Sequence, residues 1–432
     1  MVEHTVTSPP GLPERKPPSR RRVLGGALAA PFLAGATPGA AHVVVIGGGF
    51  GGAVAARVLA QIDPMIEVAL LEPNPVYTAC PFSNAVIAGL RPMEAQRFRY
   101  RRLVADGVRV LYTHATAVDN YRRQVRLADG GGVYYDRLIL APGIDIAWGA
   151  LPGYTETAAT RMPHAWKAGD QTKLLCEQLR AMDDGGVVVM SVPPNPYRCP
   201  PGPYERASLI AWYLKTHKPR SKLLVLDAKD TFSKQALFRK AWDRHYPGIL
   251  EWIGPSDGGV VTRVDPVRLA FETDFAVHKA AVANVIPPQR AGMIARAAGV
   301  ADRSGWCPID PVTFESRLVP GLHVIGDAAI AGAMPKSAFA ANAQGKACAW
   351  AVARLLLGKP PQEPRLINTC YSQITPDQAI SIAGVYRPAK GVLADIAGAG
   401  GASPLDASDE QRARESAYAS AWFSAITAET FG

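Results

Sequence analysis

HVVVIGGGFGG, residues 42–52, decides the fold of this chain. Its first five residues are mostly β-branched and predict a buried strand, and residues 53–61 predict a helix. The glycines between them have the spacing G-x-G-x-x-G: Gly47 permits a tight turn, Gly49 lets a backbone approach a pyrophosphate, and Gly52 lets the helix pack closely on the strand. Phosphates favour the positive N-terminus of such a helix. The stretch therefore predicts a dinucleotide-binding α/β domain.

An acidic residue follows where such a domain needs one. Residues 67–71 predict the next strand, and Glu72 ends it about twenty residues past the glycines, where a carboxylate accepts ribose hydroxyls. Two later stretches, YDRLILAPG (135–143) and LHVIGD (322–327), predict further strands. The glycine loop alone does not distinguish FAD from NAD.

The order of these segments resembles the disulfide reductase-like flavoproteins, which have two dinucleotide-binding domains. The resemblance implies that Asp327 hydrogen-bonds the ribityl chain of FAD. It also implies a helix starting near residues 335–337, whose positive end, helped by Lys336, favours the anionic edge of reduced flavin. We therefore expect FAD as cofactor and an α/β fold: two Rossmann-type domains plus a C-terminal α+β domain.

The second dinucleotide-binding domain, residues 153–285, has a disabled loop. Strands are predicted at 186–191 and 221–227, and the loop after the first reads VPPNPYRCPPGP (192–203). Proline offers no N–H to a phosphate and its ring blocks close approach, so no phosphate cradle forms. We expect no nicotinamide partner. The FAD-binding domain is then split between 42–152 and 286–357.

Composition and charge limit the classes of binding partner that this chain is expected to have. Apolar residues make up 48% and charged residues 19% of the chain, as in soluble globular proteins. The formal charge of +10 falls to about +7 without residues 1–41, which hold five basic and two acidic side chains. This charge favours anionic small substrates or an acidic protein partner. Without a basic run interleaved with aromatics, nucleic acid is not expected.

Residues 1–41 predict an export signal. Arg20, Arg21 and Arg22 precede an apolar run, 23–36, and small residues follow at 39–41. The adjacent arginines indicate the twin-arginine route and a periplasmic protein. A membrane anchor is the alternative, but the run is too short to cross roughly 30 Å of hydrocarbon. No other stretch predicts a membrane span.

The chain has six cysteines, which allow 15 complete pairings, so spacing alone does not choose among them. Export makes disulfides possible. Cys176 and Cys348 lie among apolar neighbours in helical patterns and are expected to be buried thiols. No C-x-x-C-H occurs, so any haem belongs to another protein. No metal site is predicted.

Several segments together closely resemble the flavoprotein subunit of flavocytochrome c sulfide dehydrogenase. The resemblance covers essentially all of the chain after residue 41, and RCPPGPYERA is its most specific motif. The segments are YTACPFSN (77–84), HAWKAGDQT (164–172), RCPPGPYERA (198–207), IPPQRAG (286–292), GWCPID (305–310), NTCYS (368–372) and the terminal FG (431–432). It implies that residues 358–432 form a domain at the interface of flavin and cytochrome.

The resemblance also implies that Cys80 bonds covalently to the 8α-methyl group of FAD. The neighbours Ala79 and Pro81 depart from the family pattern, and a structural thiol is the alternative.

Further roles follow from the resemblance. Cys199 and Cys370 match a redox-active disulfide beside the flavin, with Cys307 as the alternative partner of Cys199. Glu205 matches a proton acceptor, or is simply a carboxylate in the first turn of a helix. Trp422 matches an aromatic near the flavin on the cytochrome side, or packs the C-terminal helix.

The implied activity is sulfide:cytochrome c oxidoreduction. Hydrosulfide opens the disulfide, and electrons pass through FAD to a c-type cytochrome subunit. One alternative is a sulfide:quinone oxidoreductase, which needs an apolar, membrane-seeking C-terminus, whereas residues 411–432 carry Arg412, Arg414, Glu415 and Glu429 between their aromatics. Another is a non-enzymatic flavoprotein that assists a sulfur-oxidising complex. The proline loop opposes NAD-linked disulfide reduction.

Overall fold

The structure, a computed structural model, describes Met1 and residues 39–432. The predicted export signal therefore lies almost wholly outside the described residues. The helices are α1 (Phe50–Ile62), α2 (Ser83–Ile87), α3 (Arg101–Ala105), α4 (Asp170–Ala181), α5 (Gly202–His217), α6 (Gln235–His245), α7 (Met293–Ala297), α8 (Ala338–Leu356) and α9 (Asp409–Phe431).

The strands follow in chain order. They are β1 (Ala41–Ile46), β2 (Ile66–Leu71), β3 (Val76–Thr78), β4 (Arg97–Arg99), β5 (Arg109–Leu111), β6 (Ala115–Asp119), β7 (Gln124–Leu127), β8 (Gly132–Tyr134), β9 (Arg137–Leu140), β10 (Ile144–Ile146), β11 (Val187–Val192), β12 (Lys222–Asp227), β13 (Leu250–Ile253), β14 (Val261–Asp265), β15 (Ala270–Thr273), β16 (Val277–Lys279), β17 (Val282–Val285), β18 (Gln289–Ala291), β19 (Cys307–Pro308), β20 (Leu322–Val324), β21 (Ala329–Ile330), β22 (Leu366–Gln373), β23 (Ala379–Ala389), β24 (Val392–Asp395) and β25 (Gly401–Ala402).

The first parallel sheet has the order β20-β9-β1-β2-β5. Its β-branched strands are buried on both faces, as parallel strands covered by helices must be. α1 and α8 contact each other through glycines. A Cβ on Gly345 would lie 2.4 Å from the carbonyl oxygen of Gly51, so no larger residue fits at this point. The two helices are therefore held at backbone distance beside the glycine loop.

The second parallel sheet, β13-β12-β11-β17, draws on residues 187–285. After it, an antiparallel sheet, β22-β23-β24, and α9 form the C-terminal part. The predicted fold class, two Rossmann-type sheets with a C-terminal α+β unit, is confirmed. Among the helices of the described residues, none has the length and apolarity needed to span a membrane.

α9 fastens the C-terminal part to the first domain. Phe431, 4% exposed, stacks on Tyr77 and Phe98 with ring centroids 5.0 and 5.3 Å apart. Phe50, the first residue of α1, meets the same ring edge-on at 5.6 Å. The end of the chain is thus packed beside the glycine loop, which closes that side of the molecule.

Replacing Phe431 tests whether the packing of α9 against the first domain stabilises the fold. Phe431→Ala leaves a cavity among three aromatic rings, and we expect the free energy of unfolding to fall by about 3–5 kcal/mol. Tyr418→Ala is the matched control, because Tyr418 lies on the same helix but is 56% exposed, and its change should stay within about 0.5 kcal/mol. Guanidinium unfolding followed by circular dichroism measures both, and equal losses would contradict the role of α9.

Candidate functional site

A cavity of about 570 Å³ lies where the two parallel sheets and the C-terminal sheet meet. That size falls within the usual range for ligand sites, about 300–1,000 Å³. Its wall brings together residues that lie far apart in the sequence. They include Gly47, Gly49, Glu72, Cys80, Cys199, Glu205, Asp327, Cys370 and Trp422. Of the predicted site residues, Gly52 and Lys336 do not line it.

The glycine loop has the geometry that its spacing predicts. Gly47 has a φ of +101°, and a Cβ there would lie 2.3 Å from the carbonyl oxygen of Ala141. A Cβ on Gly52 would lie 1.9 Å from the carbonyl oxygen of Gly47, so only glycine lets α1 approach β1. A Cβ on Gly49 would lie 3.5 Å from its nearest neighbour, the Tyr77 hydroxyl oxygen, which is an ordinary contact distance. Protein contacts do not require a glycine there, so its bare backbone leaves room for a ligand.

Glu72 lies beside this loop. One carboxylate oxygen accepts the N–H of Gly48 at 2.9 Å, and the other accepts the backbone N–H and the side-chain amide of Asn74 at 2.9 and 3.1 Å. The carboxylate is thus fixed at the end of β2 with lone pairs still available. This position suits the ribose hydroxyls of a nucleotide.

Asp327 supplies the test of whether FAD fits. Its Oδ1 is buried without a hydrogen-bond partner in the described part of the chain, while Oδ2 lies 3.8 Å from Arg198. Burial raises the pKa of this carboxyl, and the charges of Arg198 and Lys336 oppose the rise. A buried acceptor left unmatched costs about 1–3 kcal/mol, so its place on the cavity wall points to a missing hydroxyl donor. Together with the bare loop and Glu72, the site fits FAD.

Lys336 contacts the backbone beside Asp327. The helix does start where predicted, since Ser337 caps α8 by accepting the N–H of Ala340 at 3.0 Å. However, the Lys336 ammonium donates to the carbonyl oxygens of Asp327 and Ala329, each at 2.7 Å, and lies 4.0 Å from the centre of the Trp306 ring. This lysine therefore stabilises the turn behind Asp327, because a buried ammonium must be paired. Its help to the helix end that favours the anionic flavin edge stays a prediction.

Cys199 has a strained backbone. Its φ is +58°, in the left-handed region, and its N–H donates to the carbonyl oxygen of Lys336 at 2.7 Å. A Cβ on Gly202 would lie 3.0 Å from the sulfur of Cys199, so the glycine of the proline loop leaves room for that sulfur. Burial raises the pKa of the Cys199 thiol, and Cys370 and Glu205 raise it further.

Cys370 lies on β22 and lines the same cavity. The side-chain amide of Asn368 donates to its sulfur at 3.3 Å, and the Asn368 oxygen accepts from the Ser337 hydroxyl at 2.5 Å. Because Ser337 also accepts the N–H of Ala340, a continuous chain of hydrogen bonds joins the N-terminus of α8 to Cys370. This chain fixes the orientation of the Asn368 amide. Sequence reasoning missed Asn368, although it lies within the NTCYS motif.

The described cysteines are all free thiols, so the predicted Cys199–Cys370 disulfide stays a prediction. Cys80 lines the cavity, and its sulfur lies 3.9 Å from the carbonyl oxygen of Trp166. Cys307 is fully buried and does not line the cavity, which counts against it as the partner of Cys199. Cys176 and Cys348 are buried in α4 and α8, as predicted.

Glu205 lies in the first turn of α5, and its carboxylate is part of the cavity wall. One oxygen accepts from the Asn84 amide at 2.7 Å and the other from the N–H of Gln373 at 3.0 Å. Burial raises its pKa, and these hydrogen bonds partly offset the rise. A carboxylate with a raised pKa is suited to accept protons near neutral pH.

Two buried cations near the cysteines were not predicted from the sequence. Lys234 donates to the carbonyl oxygen of Cys370 at 2.9 Å and to the Ser372 hydroxyl at 2.7 Å, and burial lowers its pKa to about 8. Arg206, 1% exposed, donates to carbonyl and amide oxygens, including Asn84 at 3.0 Å. Neither lysine nor arginine carries a local sequence signal for such burial.

Trp422 lies on α9 and also lines the cavity. Its ring is parallel to that of Phe339 at 6.2 Å and is tilted against Tyr371 at 6.4 Å. The residue thus packs α9 and borders the cavity at once, so the two roles considered for it are compatible.

The second domain has neither a glycine loop nor a free acid at the end of its second strand. Asp227 ends β12 as Glu72 ends β2, yet its carboxylate accepts from Tyr204 at 2.6 Å, Lys229 at 2.6 Å and Trp252 at 3.0 Å. It is fully buried. The acid that would accept ribose hydroxyls is thus already used within the protein.

The geometry defines a class: a flavoprotein with two Rossmann-type domains, whose second domain supplies a cysteine instead of a nucleotide site. Three family models match in sequence order. They are pyridine nucleotide-disulphide oxidoreductase over residues 41–178, the central part of the sulfide dehydrogenase [flavocytochrome c] flavoprotein chain over 172–287, and flavocytochrome c sulphide dehydrogenase, flavin-binding, over 362–431.

Individual relatives agree. The sulfide dehydrogenase [flavocytochrome c] flavoprotein chain of Chlorobaculum thiosulfatiphilum is 56% identical over 48 residues, which are 11% of this chain and all of that sequence. The chain belongs to the flavocytochrome c sulfide dehydrogenase flavoprotein family. It is also 22% identical to the mitochondrial sulfide:quinone oxidoreductase of Mus musculus over 66% of this chain and 65% of that one.

Solved structures share the fold. The sulfide:quinone oxidoreductase of Aquifex aeolicus superposes with a TM-score of 0.70 at 18% identity, over 90% of this chain and 92% of that one. The putidaredoxin reductase–putidaredoxin complex matches with a TM-score of 0.64 at 16% identity, over 88% and 93%. At these identities the likeness supports the fold alone.

Proposed function

We propose that this protein oxidises hydrosulfide with bound FAD and passes the electrons to a c-type cytochrome. The observation that carries the proposal is the meeting of Cys199 and Cys370 on the wall of a cavity that also holds the FAD-binding features. The family to which the chain belongs supports flavin-dependent sulfide oxidation. FAD, when bound, supplies a group that accepts an electron pair and releases single electrons.

In the proposed reaction, Cys199 and Cys370 form a disulfide that hydrosulfide opens. A new S–S bond forms between hydrosulfide and one cysteine, and the bond between the cysteines breaks. One cysteine then carries a persulfide, and the other leaves with the electron pair as a thiolate. The exchange itself leaves no proton on this thiolate. Glu205, which interacts electrostatically with Cys199, accepts a proton that reaches the thiolate from water, so that the sulfur stays charged.

The chain's own residues would hold the cofactor at defined places. The glycine loop and Glu72 would bind the pyrophosphate and a ribose, and the free lone pairs of Asp327 Oδ1 would accept a hydroxyl of the ribityl chain. Cys80, on the same wall, is proposed as the covalent attachment point. Trp422 would border the cofactor where a cytochrome docks. We also propose export by the twin-arginine route on the basis of residues 20–36.

The electron acceptor distinguishes the proposed activity from that of a sulfide:quinone oxidoreductase. The relatives in mouse and Aquifex aeolicus are named for quinone. In this chain, the C-terminal helix α9 instead buries an ion pair, Arg412–Glu415 at 3.2 Å, and packs its last residues inside the protein. We therefore expect turnover with a c-type cytochrome and none with a short-chain quinone; the reverse result would favour the quinone reductase.

An anaerobic titration with hydrosulfide tests the donor chemistry directly. We expect the visible absorption of the flavin to bleach, and we expect yellow colour to stay on the precipitated chain after denaturation because the flavin is covalently bound. Cys80→Ser should still bleach but release all of its flavin into the supernatant. Flavin that stays oxidised would refute sulfide oxidation, and free flavin from the unaltered protein would refute only the covalent bond.

Replacing either active cysteine removes the disulfide. We expect Cys199→Ser and Cys370→Ser to lose sulfide-dependent flavin reduction by at least about 10³-fold, since no thiolate–disulfide exchange remains. Cys176→Ser is the control, because this cysteine lies in α4 away from the cavity. Stopped-flow absorbance measures all three, and rates like those of the unaltered protein in both active-cysteine variants would contradict the mechanism.

Glu205 should give the reaction a pH dependence. Since burial raises its pKa, it is protonated and unable to accept a proton below that raised value. The flavin reduction rate should therefore fall as the pH drops through it. Glu205→Gln should be slower at high pH by about 10²-fold or more, with the two proteins converging at low pH. Their rate ratio cancels the ionisation of sulfide itself, and a pH-independent ratio would rule out this role.

A further inference from the structure

A second cavity, of about 510 Å³, also has Cys370 in its wall. Most of its lining residues are small or apolar, such as Pro200, Ala333 and Ile382. It is separate from the cavity described above, and neither the proposed function nor the family comparison assigns it a role. The two cavities share Cys370 and Pro201 in their walls.

Cys370 lies where the lining of β22 changes from one cavity to the other. Asn368 lines only the second cavity, whereas the residues from Tyr371 to Gln373, and Thr369, line only the first. Cys370 lies between them and borders each space. Cys199 lines only the first cavity. A ligand in the second cavity can therefore reach Cys370 but not Cys199.

The second cavity leads from solvent to this cysteine. Asp395 and the glycines and alanine of residues 398–402 line it and are exposed, so it opens to solvent there. Asn368, which is 2% exposed, lines the inner part, and its amide donates to the sulfur of Cys370. An amide nitrogen carries two N–H donors. Among the described residues only Cys370 accepts from it, so the second N–H can meet an incoming sulfur anion.

We propose that this second cavity is the entry site for hydrosulfide and the binding site for the sulfane sulfur that forms on Cys370. The inference rests on the proposed function and adds the direction of the disulfide opening. An apolar wall suits chains of sulfur atoms, which are themselves apolar except at the terminal anion. The first cavity then stays available to the cofactor alone.

The direction follows from the geometry of exchange between sulfur atoms. The attacking sulfur approaches along the line of the bond that breaks, from the side opposite to the leaving sulfur. Hydrosulfide in the second cavity meets Cys370 with Cys199 beyond it. The lone pair of hydrosulfide forms the new bond and its proton stays on the product, Cys370–S–SH. The pair from the old disulfide bond leaves on Cys199 as a thiolate, in the first cavity.

The test uses the holoprotein with its disulfide formed. It is mixed anaerobically with sodium hydrosulfide, trapped with iodoacetamide and digested, and the cysteine peptides are weighed by mass spectrometry. We expect the additional sulfur on Cys370 and not on Cys199. Gly401→Leu should lower its incorporation about tenfold or more, because Gly401 lines the cavity and a Cβ there meets no atom within 4 Å, so a larger side chain narrows the cavity.

Val392→Leu is the matched control, since it places a leucine on the same sheet at a position that is 45% exposed and does not line the cavity. Flavin absorbance and near-ultraviolet circular dichroism show whether each variant is folded. If Gly401→Leu fails these checks, Ala402→Leu replaces it. Sulfur on Cys199, or unchanged incorporation in the folded variant, overturns this inference alone. No sulfur on either cysteine overturns the proposed function as well.

Discussion

One backbone hydrogen bond, from the N–H of Cys199 to the carbonyl oxygen of Lys336 at 2.7 Å, connects the parts of the site. Cys199 belongs to the proline loop of the second domain, whereas Lys336 lies between Asp327 and α8 of the first. The left-handed backbone of Cys199 would cost roughly 1–3 kcal/mol in isolation. It persists because this bond and the turn to Gly202, whose N–H donates to the Cys199 carbonyl at 2.8 Å, both require it.

The same segment also sets the position of Cys370. Lys336 holds the turn behind Asp327, Ser337 caps α8, and Asn368 links that cap to the sulfur on β22. The Asp327 carboxylate and both sulfurs are therefore positioned by two consecutive residues, Lys336 and Ser337, and by the helix that follows them. A shift of α8 would move all of them together, which preserves their mutual geometry.

The second domain shows how a nucleotide-binding fold can serve another purpose. Its strand, loop and helix remain, but the prolines remove backbone donors and Asp227 is enclosed by Tyr204, Lys229 and Trp252. Phe232 stacks on Tyr204 with centroids 3.7 Å apart, which fills space beside the acid. Lys229 also donates to the carbonyl oxygen of Pro193 at 3.0 Å. Through Lys229, Asp227 thus stabilises the loop that carries Cys199.

Sequence reasoning reached the features that local patterns encode. The glycine loop, the strands around it and Glu72 follow from periodicity, spacing and glycine geometry within a few residues, whereas the start of α8 follows from the family resemblance. The position of the Lys336 ammonium did not, because it depends on Trp306 and on two carbonyl oxygens formed by tertiary packing. Lys234 was missed for the same reason, since it binds Cys370 across 136 positions of sequence.

The charges around the two sulfurs give the site its electrostatic preference. Arg198 lies 3.8 Å from Asp327, and Lys234 interacts with Glu205. Arg206 is buried yet forms no ion pair with any described carboxylate; its donors reach only carbonyl and amide oxygens. Burial lowers the pKa of Arg206, and electrostatic interactions with Cys80, Cys199 and Glu205 oppose that fall. In the proposed reaction, a thiolate at Cys199 would lie near Arg198 and Lys234 as well, whose charges lower the pKa of this thiol. These cations would therefore offset part of the cost of burying a negative charge on Cys199.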